Sequence, residues 1–306
     1  MEEKIQRRIK KVWKSEPAIE GAGVHLRRAF GFHEIPLLDP FLLLDDFRSE
    51  NPKDYLAGFP WHPHRGIETI TYVLDGDVEH GDSMGNRGNI SAGDVQWMTA
   101  GSGIIHQEMP KGNRKGQMFG FQLWANLPAK LKMVDPHYRG IKSNEIPITK
   151  TTDGASVRVI CGEINGTKGP VQNIKIDPEY YDVELPAGKT FTHAVKSDHN
   201  VFAYVIEGEA YFDTARKPLT HDTKGVNYFD MQPCCACGDG SLVLYGEGNK
   251  ITITTDTKPV RFLLVSGKPL REPIAWYGPI VMNTQEELRK AFQDYQDGTF
   301  VKNTSK

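Results

Sequence analysis

Short runs of alternating apolar and polar residues, separated by Gly, Pro, Asp and Asn, dominate the chain from about residue 20 to residue 125. Clear examples are Ile67–Leu74, Asp94–Met98 and Met118–Trp124. Side chains alternate across a strand, so each run predicts a β-strand with one buried face. Asp75-Gly76 follows the first run and is typical of a hairpin turn. Many short strands with regular turns predict a β-barrel or a β-sandwich.

A second strand-rich region follows a boundary at residues 126–150. The segment Tyr72–Asp77 returns there as Tyr204–Glu209, in similar sequence and with the same Gly position. This echo suggests that one β-domain was duplicated. We therefore predict two domains, at residues 1–135 and 136–306.

The C-terminal segment has the pattern of a helix. Thr284 and Glu287 form a capping box, which predicts a helix at about 284–297. Its apolar residues recur at helical spacing at Leu288, Ala291, Phe292 and Tyr295. The prediction is an all-β protein with a short docked helix that has no catalytic role.

Two short sequence motifs in the first domain contain the candidate metal ligands. His62-Pro63-His64 and His106-Gln107-Glu108 each place two side chains on the same face of a strand. If the two strands are neighbours, three imidazoles and a carboxylate converge, which is the composition of a metal site. Buried, hydrogen-bonded histidines are the alternative, and a single histidine would favour it. The full set of four favours a metal.

Composition restricts the function classes. Lys plus Arg number 37 and Asp plus Glu number 39, a net charge of −2, which does not suggest capture of nucleic acid or of an anionic membrane. No apolar run is long enough for a transmembrane helix, and the charged start Met1–Lys4 lacks a secretory h-region. We expect a cytoplasmic protein, or also a nuclear one if the source is eukaryotic. Six basic residues at positions 4–14 suggest a nuclear or membrane-surface segment, but a solvated basic N-terminal strand or arm is favoured.

The cysteines agree with a reducing compartment. Cys234, Cys235 and Cys237 crowd into four positions, which is poor geometry for pairing with one another. Cys161 is the remaining cysteine, and we expect it to be a small core residue. A Cys-Cys-x-Cys zinc or redox site is disfavoured, because no second pair at zinc spacing follows.

Four longer sequence motifs resemble those of the pirin family of the cupin superfamily. They are Leu38–Phe47, Phe59–Thr69, Gly93–Met109 and Phe121–Pro128, in the family's order. The resemblance covers the first half closely and the second half more loosely. It implies a bicupin: a metal-binding N-terminal cupin barrel at 1–135, and a C-terminal cupin-like barrel at 136–306 that lacks the metal site and ends in the helix.

The resemblance also implies the ligand set. The family's ligands fall on His62, His64, His106 and Glu108. Most cupins take their carboxylate from the first motif, where Glu68 lies here. Pirins use the residue two after the motif-two histidine, so Glu108 is favoured and Glu68 is the reserve ligand. Arg65 follows a ligand directly, faces away from the metal by strand parity, and is expected to form a surface or inter-strand ion pair.

The implied cofactor is one divalent transition metal. Fe(II) is favoured, and Ni, Co, Mn, Cu or Zn would also suit such a nitrogen and oxygen site. The implied activity is that of a quercetin 2,3-dioxygenase, with a small aromatic or enediol substrate, O2, and Glu108 as both ligand and catalytic base. The alternative is a redox-sensitive regulatory protein that binds a protein partner without turnover. Zinc-type hydrolysis is weaker, because no separate acid–base partner is visible.

Overall fold

The computed structural model describes residues 4–216, 222–224 and 236–302, with 222–224 described by their backbone. The chain forms two compact units. One unit contains residues 16–145 and 270–306, and it includes both candidate metal-binding words. The other contains residues 1–15 and 146–269.

The described part of the chain contains 26 strands and one α-helix. The first thirteen are β1 (Ile9–Lys14), β2 (Glu16–Glu20), β3 (Val24–Phe30), β4 (Phe41–Asp46), β5 (Phe59–His64), β6 (Ile67–Asp75), β7 (Val78–Asp82), β8 (Arg87–Ile90), β9 (Val95–Thr99), β10 (Ile104–Pro110), β11 (Phe119–Asn126), β12 (His137–Ile141) and β13 (Ile148–Lys150). The others are β14 (Ser156–Cys161), β15 (Glu163–Ile164), β16 (Thr167–Lys168), β17 (Glu179–Leu185), β18 (Thr190–Ala194), β19 (Asn200–Ala210), β20 (Asp222–Lys224), β21 (Cys237–Gly238), β22 (Ser241–Tyr245), β23 (Lys250–Thr254), β24 (Val260–Gly267), β25 (Ala275–Tyr277) and β26 (Ile280–Met282). The helix α1 spans Gln285–Gln296.

The unit with the candidate site is built from two facing sheets. A seven-stranded sheet runs in the order β12-β9-β6-β11-β4-β3-β2, and a four-stranded sheet runs β5-β10-β7-β8. Apolar side chains of both sheets share one core cluster, as Ile67 and Met98 from the larger sheet and Ile104 from the smaller one illustrate. The barrel that results encloses the inward-facing residues of β5, β6, β9, β10 and β11.

The other unit is organised around a larger sheet. Its strands run in the order β13-β14-β17-β24-β19-β22-β1-β20, and β21 pairs with β19. The basic N-terminal arm belongs to this sheet, since β1 pairs with β22. The expectation of a solvated arm is wrong for Arg7, which is buried and donates to the backbone oxygens of Gly246, Lys196 and Ser197.

The observed units differ from the contiguous division at 135/136 at both ends of the chain. Residues 1–15 join the later unit because β1 completes its sheet. Residues 270–306 return to the earlier unit, because β25, β26 and α1 pack together there with Ile105. Sequence periodicity predicts elements, but it contains no signal for which sheet an end strand will join.

The hairpin predicted at Asp75-Gly76 is wrong. The strand before this turn, β6, pairs with β9 and β11, whereas β7 pairs with β8 and β10 in the other sheet. Gly76 has a φ of +85°, so the turn does need a glycine. The turn passes the chain from one sheet to the other.

The two similar segments of the sequence occupy equivalent positions in the two units. Tyr72–Asp77 ends β6 and Tyr204–Glu209 ends β19, and each strand is central in the large sheet of its unit. Gly76 and Gly208 adopt similar φ values of +85° and +81°. This agreement supports the duplication inferred from the sequence.

The C-terminal helix is confirmed. Thr284 caps α1 and forms the reciprocal capping box with Glu287. Leu288 and Ala291 are buried, and Phe292 is partly buried against the same cluster. No helix within the described residues is long and apolar enough to cross a membrane. Cys234 and Cys235 lie outside the described residues, while Cys161 is buried as expected.

Candidate metal centre and substrate cavity

Strand pairing brings the three candidate histidines together. His62 and His64 lie on β5, His106 lies on β10, and the two strands are antiparallel neighbours with His106 opposite His62. The ring centroids are 4.4 to 4.9 Å apart, and the ligand nitrogens all lie within 4.8 Å of one another. The predicted convergence of the three imidazoles is therefore present, and their role as metal ligands stays a prediction.

Hydrogen bonds behind the rings fix which nitrogens face inward. Nδ1 of His62 lies 2.8 Å from the Pro60 oxygen, and Nδ1 of His64 lies 3.1 Å from the Pro279 oxygen. Carbonyl oxygens only accept, so each Nδ1 carries the proton and donates it. In a neutral imidazole this leaves Nε2 with a lone pair, and the two Nε2 atoms face each other at 3.1 Å. Neither His106 nitrogen has a hydrogen-bond partner within the described chain. Converging lone pairs of this kind fit a metal ion.

Burial keeps these rings in the neutral form. It lowers the pKa of His62, and it lowers the pKa of His64 and His106 well below the ordinary value. Neighbouring histidine charges lower the pKa of His64 and His106 further. Neutral imidazole is the form that binds metals, so the trio is poised as a ligand set at neutral pH.

Glu108 lies beside the trio but outside the group that the three imidazoles form. Its Oε1 accepts from Thr71 Oγ1 at 2.7 Å and from Gln96 Nε2 at 3.1 Å, and its Oε2 accepts from Gln122 Nε2 at 2.7 Å. A register shift in β10 between His106 and Glu108 accompanies this displacement. The structure thus brings three of the four predicted ligands together and holds the carboxylate next to them.

The reserve ligand, Glu68, faces the other side of its strand. It accepts from Trp97 Nε1 at 3.0 Å and from Thr99 Oγ1 at 2.8 Å, whereas Thr71 on the same strand reaches Glu108. Residues three apart on a strand point in opposite directions. Glu68 was expected to share a face with His64 because it lies four residues later. This expectation is wrong, because β5 ends at His64 and Gly66, with φ of +80°, redirects the chain into the other sheet.

A cavity of about 710 Å³ opens beside His62 and His64. Its walls are mainly apolar and include Phe32, Leu43, Phe59, Trp124, Trp276 and Pro279. Trp124 packs edge-to-face on His64 at 5.0 Å and lies 5.9 Å from Trp276. The size and lining suit a small aromatic molecule.

A charged cluster interrupts these mainly apolar walls. Arg28 binds Asp45 through two hydrogen bonds of 2.8 and 2.7 Å, and its Nη1 lies 2.7 Å from Glu20. Burial raises the pKa of Asp45 to about 6, although the bonds from Arg28 oppose this rise. All three residues line the same cavity as the histidines.

Arg65 anchors the segment that contains His62 and His64. Its guanidinium is 2% exposed and pairs with Asp294 of α1 at 2.9 Å. It also donates to the Ser102 oxygen at 2.7 Å and to the Phe300 oxygen at 3.0 Å. The predicted ion pair exists, but it is buried and joins the C-terminal helix to the residue after His64.

Several residues that support the site were not predicted from the sequence. Thr71, Gln96 and Gln122 hold Glu108, and His80 lies 5.6 Å from His106 between Tyr138 and Asp82. The sequence does contain signals for them. Thr71, Gln96 and Gln122 are polar positions within largely apolar strand segments, and His80-x-Asp82 is a further motif with i, i+2 spacing. The Pro279 carbonyl, being backbone, has no such signal.

The second unit has no counterpart of the trio among the described residues. His193 lies 3.5 Å from Glu179, which accepts from Ser266 at 2.8 Å, and His199 lies 3.3 Å from Ser266. These two histidines join one buried polar chain. They do not converge as the first three do.

Comparisons with known proteins agree with this architecture. The Pirin family model matches residues 23–125, and the Pirin C-terminal cupin domain matches residues 180–301. A pirin-like protein from Caulobacter vibrioides is 42% identical over 96% of this chain and 99% of its own.

Solved structures give the same picture. The crystal structure of quercetin 2,3-dioxygenase from Acinetobacter baumannii has a TM-score of 0.82 and 31% identity, and the match covers 97% of this chain and 99% of that one. A bacterial pirin from Escherichia coli, solved in complex with nickel(II), has a TM-score of 0.60 at 21% identity and covers 84% of this chain and 98% of its own. The second likeness shows the fold alone. The prediction of a two-barrel cupin fold is confirmed.

Proposed function

Because this chain belongs to the pirin family, we propose that it is a metal-dependent dioxygenase that cleaves a flavonol-like substrate with O2. The observation that carries the proposal is the set of imidazole lone pairs that converge at the wall of an aromatic cavity. The name of the solved relative from Acinetobacter baumannii supports the reaction class.

His62, His64 and His106 would hold the metal, with Glu108 as the fourth ligand. Three nitrogens and one oxygen suit Fe(II), which we favour, and also Ni, Co, Mn, Cu or Zn. A metal bound there would supply Lewis-acid stabilisation of the negative charge that develops on the substrate's 3-hydroxyl oxygen.

Glu108 is also assigned the role of base. A carboxylate beside the trio can accept the proton of the 3-hydroxyl as the substrate binds. Thr71, Gln96 and Gln122 orient its two oxygens, so that the carboxylate does not have to reorganise during the transfer. Gln122 itself accepts from Trp124 Nε1 at 3.2 Å, which ties the base to the aromatic wall.

The cavity walls position the substrate and exclude water. Trp124, Trp276 and Phe32 offer aromatic faces and edges on which planar rings pack at centroid distances of about 4.5–7 Å. Excluding water strengthens the interactions around the developing negative charge. In the overall reaction both atoms of O2 enter the substrate, one ring carbon leaves as carbon monoxide, and the flavonol becomes a ring-opened ester.

Oxygen uptake with quercetin tests the proposal. We expect turnover by wild-type protein loaded with Fe(II) or another divalent metal. His106→Ala should lose metal and turnover while keeping the circular dichroism spectrum of the folded protein. Stoichiometric metal binding by folded His106→Ala would refute the ligand assignment. The absence of turnover with every metal, at full site occupancy, would refute the dioxygenase.

The regulatory alternative has a distinct outcome in the same experiment. A protein that binds metal, never turns over quercetin, and changes its affinity for a protein partner between Fe(II) and Fe(III) would support it. No contact among the described residues marks a surface for such a partner, so the dioxygenase remains our proposal. The reducing environment that Fe(II) requires agrees with the proposed cytoplasmic location.

A further inference from the structure

A row of polar residues crosses the inner face of the seven-stranded sheet. Strand register places Gln96, Thr71, Gln122, Asp45 and Arg28 directly next to one another, across β9, β6, β11, β4 and β3. Strands in a sheet are about 4.8 Å apart, so the row extends roughly 10 Å from Gln122 to Arg28.

The two ends of this row serve different partners. Gln96, Thr71 and Gln122 each donate a hydrogen bond to the Glu108 carboxylate. At the other end, Asp45 and Arg28 line the cavity together with Glu20 from the edge strand β2. These three residues do not contact Glu108, yet they are the charged groups of a cavity wall that is mainly apolar apart from His62, His64, Gln122 and Tyr277.

The cluster, which lines the cavity, retains unused hydrogen-bonding capacity. A guanidinium has five N–H donors, and Arg28 uses one at Nε, one at Nη2 and one at Nη1, so two remain. The carboxylates of Asp45 and Glu20 also keep acceptor positions, because each carboxylate offers about four. Adjacent donors and acceptors of this kind match hydroxyl groups, which both donate and accept.

The charge of the cluster favours a neutral ligand over a charged one. Two carboxylates face one guanidinium, which disfavours a substrate that carries a carboxylate of its own. A substrate cation would compete with Arg28, which already neutralises part of both acids through contacts of 2.7 to 2.8 Å. Neutral phenolic hydroxyls avoid both penalties.

We propose that Glu20, Arg28 and Asp45 form a subsite for the hydroxyl groups on the substrate ring that points away from the three histidines. Two adjacent hydroxyls on that ring would donate to the carboxylates and accept from the guanidinium. The orientation rests on the proposed function, since it requires the flavonol's 3-hydroxyl to lie at the metal-binding end. The subsite makes the protein selective for flavonols with a catechol ring.

Two natural flavonols isolate this contribution. Quercetin and galangin share the other two rings, but galangin lacks both hydroxyls on the third. Dissociation constants are measured by calorimetric titration of the zinc-loaded protein without oxygen, so that no turnover interferes. Because hydrogen bonds to charged groups are involved, we expect quercetin to bind roughly ten- to a hundredfold more tightly than galangin.

Glu20→Gln and Asp45→Asn should reduce this preference severalfold, mainly through weaker quercetin binding. Glu20 is the safer position, because its side chain is 43% exposed and its replacement leaves the Arg28–Asp45 pair intact. Glu79→Gln, outside the cavity, is the matched control and should keep the wild-type ratio. An unchanged ratio in folded Glu20→Gln and Asp45→Asn, or equal wild-type affinities, would overturn the subsite.

The result separates the subsite from the reaction. Selective binding without oxygen uptake by the Fe-loaded enzyme would refute the dioxygenase and leave the subsite in place. Turnover of both flavonols, combined with equal affinities, would support the dioxygenase and refute the subsite.

Discussion

The buried ion pair between Arg65 and Asp294 allows the sharpest stability prediction. Asp294→Ala leaves the guanidinium at 2% exposure with two carbonyl partners, Ser102 and Phe300, and without its counter-charge. Breaking a buried pair by removing one partner costs about 3–5 kcal/mol. The other two ion pairs of Asp294 involve the exposed amines of Lys290 and Lys302 and contribute little.

Urea unfolding at pH 7, followed by tryptophan fluorescence, measures this cost. We expect Asp294→Ala to lower the free energy of unfolding by about 3–5 kcal/mol. The control Glu79→Gln breaks the exposed pair with Lys111 and should cost less than about 1 kcal/mol. The double variant Arg65→Met/Asp294→Leu should recover much of the loss, because it removes the uncompensated charge as well. A cost below about 1 kcal/mol for Asp294→Ala would refute the reasoning.

The same pair predicts a pH dependence. Burial alone would raise the pKa of Asp294, but hydrogen bonds from Lys290, Arg65 and Lys302 outweigh it and hold the pKa well below its usual range. A lowered pKa in the folded state contributes stability that is present above the unfolded value, near pH 4, and is lost as the pH falls toward the folded one. Wild-type protein should therefore lose more stability between pH 5 and pH 3 than Asp294→Ala does. Parallel pH profiles of the two proteins would contradict this assignment.

Three further substitutions test other parts of the structure. Lys132→Met should lower the free energy of unfolding by about 3 kcal/mol in calorimetry, because its buried amine donates to three oxygens at 2.6 to 2.9 Å; a neutral effect would contradict this. Gln122→Leu should keep stoichiometric metal by elemental analysis but reduce kcat/KM for quercetin roughly 10- to 100-fold, because Glu108 loses one hydrogen-bond donor. Unchanged kinetics would exclude this positioning role. Thr284→Ala should cost about 1 kcal/mol in urea unfolding, and Thr284→Ser should restore it, because the hydroxyl caps the Glu287 amide; no loss in Thr284→Ala would argue against the cap.

The sequence predicted the parts of the site that depend on local geometry. Strand parity acts over two residues, so it placed His62 and His64 on one face of their strand and His106 and Glu108 on one face of theirs, whereas the convergence of the histidines depended on the two strands being neighbours. Parity failed for Glu68, because a glycine with positive φ lies between the two strands. It also placed Glu108 on the correct strand face without showing that Gln122 and Thr71 would hold it.

Long-range contacts could not be predicted in this way. Arg65 and Asp294 are 229 residues apart, and the Pro279 carbonyl that orients His64 is 215 residues from it. Both depend on residues 270–306 returning to the first barrel, and an amphipathic helix pattern does not specify the surface to which the helix docks. The proposed hydroxyl subsite was not predicted for a related reason, because Glu20, Arg28 and Asp45 lie on three different strands.

Carbon monoxide release tests the central claim most directly. The protein is loaded with one divalent metal per chain, supplied with quercetin and O2, and the evolved gas is quantified. The proposed function predicts one carbon monoxide for each O2 and each flavonol consumed, and none from His106→Ala. Failure to release carbon monoxide with any of the candidate metals, from protein whose site is fully occupied, would contradict it.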